Sequence, residues 1–118
     1  MTLLEHQKTF ALNVSALIKF IFDCGYFCTF GEAMRTPEQA EIYAKEGKGV
    51  RNSLHCKRLA VDLNIFKKDG TFLQEAKDYE QFGIFWEKLH GMNRWGGFFV
   101  SKYGGKIIDG NHFDMLEP

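Results

Sequence analysis

The chain has 118 residues, 45% of them hydrophobic and 25% charged, an ordinary globular composition that argues against disorder. That length supports one hydrophobic core, so a single domain spanning 1–118 is expected, with no room for a sizeable binding module beside a catalytic one. Fifteen basic residues balance fifteen acidic ones, so no overall positive field exists to recruit nucleic acid.

Apolar residues at Leu4, Ala11, Val14, Leu17, Ile18, Ile21 and Phe22 recur largely at spacings of three, four and seven, which predicts an amphipathic helix from Leu4 to Cys24, ended by Gly25. Its stripe is expected to supply core, and His6, near its start, to be a solvated surface residue. Lys19 and Asp23 break or close the apolar run and no small-x-small site follows, so the segment reads neither as an export signal nor as a bilayer span. A soluble protein without stable membrane insertion, made and first held in the cytoplasm, is expected.

Tyr26–Phe30 is aromatic and β-branched and reads as a short strand. Thr36-Pro37-Glu38-Gln39 then predicts a helix start, with Thr36 as N-cap, Pro37 at the first helical position and Gln39 completing a capping box. Arg35 is thus held between a strand end and a helix start, a rigid setting for a functional side chain; the plainer reading is a surface Arg paired with Glu32 or Glu38. The helix runs through Ile42 and Tyr43 to Gly47-Lys48-Gly49, and a loop, Val50-Arg51-Asn52, leads to Ser53.

Val61, Leu63 and Ile65 alternate with Asp62 and Asn64, the pattern of a strand with one apolar and one polar face. Asp69-Gly70 signals a hairpin turn with Thr71–Leu73 as its return. Asp78–Leu89 is predicted helical, burying Tyr79, Phe82, Phe85, Trp86 and Leu89, with His90 in a structural role at its end. From Gly91 through Lys106 no periodicity survives, and this Gly-rich stretch reads as a site-forming loop. A final strand, Asn111–Met115, places His112 and Phe113 on opposite faces. The sum is an α+β fold: a small antiparallel sheet packed against helices.

Two stretches carry chemistry: Ser53–Asp62, and Asp109-Gly110-Asn111-His112-Phe113. Two histidines and a carboxylate are ligand types that zinc accepts when one coordination position stays open for water. An isolated His is more often a hydrogen-bonded structural residue, and an isolated strand Asp a solvated or capping one. His55 and Asp62 are seven apart, which on a flat strand puts them on opposite faces. A shared site therefore requires His55 to sit before the strand or across a break, for which Lys57-Arg58 is the place. Cys24, Cys28 and Cys56 are an odd number without the knuckle spacing of a structural zinc site, and buried, reduced thiols are expected.

The wider pattern, Ser53-x-His55-x6-Asp62, then Trp95-Gly96-Gly97, then Asp109-x2-His112-Phe113, with Arg35-Thr36-Pro37-Glu38-Gln39 upstream, resembles the zinc peptidases of the D-alanyl-D-alanine carboxypeptidase/VanY family. It is most similar to the short bacteriophage L-alanyl-D-glutamate endopeptidases, over about Thr29 to Phe113. The resemblance implies a Hedgehog/DD-peptidase-like fold, a Zn2+ ion held by His55, Asp62 and His112, and Asp109 as catalytic carboxylate. It also implies Arg35 as stabiliser of the carbonyl oxygen as it turns anionic, Ser53 beside the metal orienting a ligand or bonding substrate, and Trp95 as a buttress of the His112 strand.

Arg58 departs from the Gly that members often carry. Asp109 stands where many carboxypeptidases have Glu, which draws the comparison towards the phage branch. The implied activity is hydrolysis of an amide bond in the peptidoglycan stem peptide by a monomeric endolysin, released from the infected bacterial cell onto the wall. A D-alanyl-D-alanine carboxypeptidase and a non-catalytic wall-binding or virion domain are the alternatives.

Overall fold

The computed structural model describes residues 2–47, 53–99 and 109–117. The expected loop at 50–52 and the Ser101–Lys106 stretch lie outside the described residues. In chain order the elements are α1 (Leu3–Asp23), β1 (Phe27–Phe30), α2 (Pro37–Lys45), β2 (Ala60–Phe66), α3 (Ala76–Leu89), β3 (Asn93–Trp95) and β4 (His112–Met115), with 3-10 turns at Leu54–Lys57 and Gly96–Phe98. The expected α+β architecture is present.

The strands form one antiparallel sheet in the order β1-β2-β4-β3. Side chains alternate across it. Val61, Leu63, Ile65, Phe113 and Met115 enter a core completed by Phe10, Leu17 and Ile21 of α1 and Phe82 and Trp86 of α3. Asp62, Asn64, His112 and Asp114 share the opposite face, and the β2–β4 register sets Asp62 directly against His112. Truncating a core side chain with no exposure, such as Phe82 or Leu63, would cost roughly 2–5 kcal/mol.

Local chemistry explains the helix ends. The Thr2 hydroxyl accepts the Glu5 N–H while the Glu5 carboxylate accepts the Thr2 N–H, and Gly25 turns the chain at φ 88°. At α2 the Thr36 hydroxyl accepts the Gln39 N–H, the first half of the expected box. No helix among the described residues is long and apolar enough to cross a membrane.

Four expectations need correction. His6 is 5% exposed rather than solvated, because the start of α1 lies against the end of α3 and the His6 ring meets His90 edge-on, centroids 6.4 Å apart. Part of the supposedly irregular run from Gly91 is strand β3, which exists through its pairing with β4. The Thr71–Leu73 return makes only an isolated bridge, Phe66 to Phe72. None of the three cysteines is buried: Cys24 is exposed, Cys28 and Cys56 half-buried, all free, with burial pushing the Cys28 thiol up.

Candidate metal centre

His55 is delivered by the 3-10 turn at Leu54–Lys57. The buried Ser53 caps it, its hydroxyl accepting the His55 N–H at 3.2 Å. Arg58 closes it in the left-handed region at φ 56°, a conformation that favours Gly and is adopted here by Arg. This supplies the break that a shared site requires, and β2 begins two residues later with Asp62 on its polar face.

The chain after β1 continues along β2: the Gly31 N–H donates to Asp62 O and the Asp62 N–H to Glu32 O, both at 2.7 Å. The Arg35 N–H then reaches His55 O at 3.2 Å, tying the β1–α2 segment to the histidine turn.

The other half of the site rests on Trp95-Gly96-Gly97. The indole N–H of Trp95 donates to Gly110 O at 2.7 Å, and its ring fills the space that side chains at Gly83 and Gly97 would occupy. A Cβ at Gly96 would collide with Asp109 O and lie 3.0 Å from the Cβ atoms of Asp109 and His112. The turn bearing Asp109 and His112 thus docks on bare backbone. Trp95 buttresses β4 as expected, opposite Phe113.

Donor atoms of His55, Asp62 and His112 all lie within 4.8 Å of one another and could hold a metal ion. Asp62 Oδ1 is 3.4 Å from His55 Nε2 and 3.1 Å from His112 Nδ1, and both histidines are buried. Asp109 Oδ2 stands 3.8 Å from His112 Nδ1 with its side chain 46% exposed, so it borders the cluster from the solvent side. A hollow of about 370 Å³ opens beside it, lined in part by Phe72, Gln74, Tyr79 and Asn111.

Arg35 reaches this cluster through Glu32. Its Nε donates to Glu32 Oε1 at 2.6 Å, its Nη2 pairs with the same oxygen, and its guanidinium lies over the Tyr43 ring. That carboxylate is also 3.6 Å from His55 Nδ1, a buried nitrogen with no hydrogen-bond partner among the described residues.

Sequence reasoning missed two participants. Asp114, 2% exposed, places Oδ2 2.8 Å from His112 Nε2, and Arg94 grips both of its oxygens. The signal for Asp114 was the two-residue strand period, which puts it on the face of His112. Arg94 is its cross-strand partner, a relation invisible while β3 is read as loop.

The electrostatics follow from the crowding. Burial opposes the charge on Asp62, yet hydrogen bonds from His112 and His55 outweigh it and hold the carboxyl at about 2. Burial likewise disfavours a charged His112, but Asp114 and Asp62 push it up to about 9. Asp109 is raised, by burial first and by the neighbouring charge of Asp62, against the pull of the two histidines. A carboxylate lifted in this way is a better proton acceptor than an ordinary one.

No family model matches the sequence, and no curated protein does. The fold is similar to the crystal structure of the Serratia marcescens L-Ala D-Glu endopeptidase ChiX, with a TM-score of 0.66 and 20% identity over 85% of this chain and 75% of that one.

Proposed function

We propose that the chain is a zinc-dependent peptidoglycan peptidase of the D-alanyl-D-alanine carboxypeptidase/VanY family. In this reading it cleaves the bond between L-alanine and D-glutamate in the stem peptide, as a monomeric phage endolysin acting on the wall after release from the infected cell's cytoplasm. The observation that carries the proposal is the convergence of His55, Asp62 and His112 with Asp109 at its open edge. The fold shared with an L-Ala D-Glu endopeptidase supports the choice of substrate.

The donor set fits zinc: nitrogen and oxygen ligands at about 2.0–2.1 Å in a tetrahedron stand roughly 3.3 Å apart, close to the 3.1 and 3.4 Å between Asp62 Oδ1 and the two imidazoles. Bound there, zinc supplies Lewis-acid polarisation and a water activated at neutral pH. Asp109 takes the proton of the attacking water and returns it to the leaving amine as the C–N bond breaks. Arg35, a permanently charged donor steadied by Glu32, stabilises the carbonyl oxygen as it becomes anionic. Ser53 fixes the turn that aims His55.

The test is digestion of purified peptidoglycan by the zinc-supplied protein, with the new termini identified by mass spectrometry. New D-glutamate amino termini are expected, and Asp109→Ala should keep its zinc and lose turnover. Release of free D-alanine would instead indicate the carboxypeptidase, no product a binding domain, and full activity of Asp109→Ala would sink the catalytic assignment.

A further inference from the structure

We infer that Arg94 and Asp114 form a positioning pair for His112, fixing which of its nitrogens faces the metal; this rests on the zinc reading above. A carboxylate only accepts hydrogen bonds, so Asp114 Oδ2, at 2.8 Å, requires the proton on Nε2. The lone pair of a neutral imidazole is then left on Nδ1, the nitrogen that faces Asp62.

The carboxylate cannot swing away. Arg94 holds it as a fork, Nε to Oδ1 at 3.0 Å and Nη2 to Oδ2 at 2.9 Å, and the Phe99 ring backs the guanidinium at 4.8 Å. The Trp86 indole N–H anchors the Asp114 carbonyl at 2.9 Å. A buried carboxylate is tolerated only when its oxygens are paired, and here the partners are that guanidinium and the ligand histidine. Among the described residues His55 lacks comparable support, since its far nitrogen stands 3.6 Å from Glu32 without a hydrogen bond. Asp114 therefore sets the orientation of His112, while His55 is placed by its capped turn.

The experiment compares wild type, Asp114→Asn, Arg94→Met and Arg94→Lys at one fixed pH. Zinc affinity is measured by competition with a chromophoric chelator, and the His112 ring nitrogens by 15N NMR of the zinc-loaded protein. Asp114→Asn should bind zinc about 10–100-fold more weakly and lose a uniform His112 tautomer. Arg94→Met should show a smaller loss of the same kind, partly restored in Arg94→Lys. Because the Arg94 side chain is 42% exposed, its variants keep the test open if Asp114→Asn does not fold. Affinity within twofold of wild type and an unchanged His112 signature in the folded variants overturn the positioning role and leave the zinc reading standing. Wild type that takes up no zinc overturns that reading, and the role of the pair with it.

Discussion

Gly96→Ala is the sharpest probe of how the site is assembled. The added methyl would collide with Asp109 O and stand 3.0 Å from the Cβ atoms of Asp109 and His112, where carbon contacts settle at about 3.5–4.0 Å. The obstructing atoms are main-chain or Cβ atoms that no rotamer change can move, so the turn must retreat by roughly 1 Å. Overpacking of this kind destabilises by about 1–3 kcal/mol, or roughly 5–15 °C in melting temperature for a domain of this size. The retreat also displaces Asp109 and His112, and a misplacement of about 1 Å can reduce turnover about 100-fold. Thermal melts with and without zinc, together with peptidoglycan turnover, read both effects. Gly91→Ala is the control, because a Cβ there meets nothing within 4 Å among the described residues. A Gly96→Ala protein that melts with the wild type and keeps its activity would refute the argument that the turn docks on this glycine.

Two further outcomes are expected. In metal-free protein His112 rises from 6.5 to about 9, which is worth about 3 kcal/mol of folding stability. A raised pKa stabilises most fully below the unfolded value, so this contribution should be complete under about pH 6.5 and lost as pH climbs through about 9. Urea unfolding with chelator at about pH 6 and about pH 10 should show that fall in wild type and not in His112→Asn; equal slopes would remove the coupling. Arg58→Gly should stabilise slightly: relief of a left-handed residue, about 1–2 kcal/mol, is partly offset by glycine's extra unfolded freedom, about 0.5–1 kcal/mol. A drop in denaturation midpoint would instead show that the Arg58 side chain makes a contact the fold needs.

The elements that could be read from the sequence are those whose signal is local. The α1 stripe, the Thr36-Pro37 start of α2, the alternation of β2 and the aromatic face of α3 each follow from a period or a cap within a few residues. The four residues expected to share a site, His55, Asp62, Asp109 and His112, do meet, and the break demanded between the first two is the turn closed by Arg58. What escaped was made by distant partners. β3 is three residues of Asn, Arg and Trp with no alternation to detect, held by β4. His6 is hidden by the end of another helix. Arg94 and Asp114 become neighbours only across a strand pair.

The register that sets Asp62 against His112 joins residues fifty positions apart in the middle of the sheet. An ion gripped by both works as a removable cross-link, comparable in effect to a disulfide. Closing a chain loop of that length costs about 3.5 kcal/mol of entropy, and while the ion stays bound the loop cannot reopen. With an ion bound, the two central strands would part only on releasing it, so the proposed catalytic group would also brace the sheet beneath it. Stripping the ion would remove that added stability and leave the sheet resting on its own core.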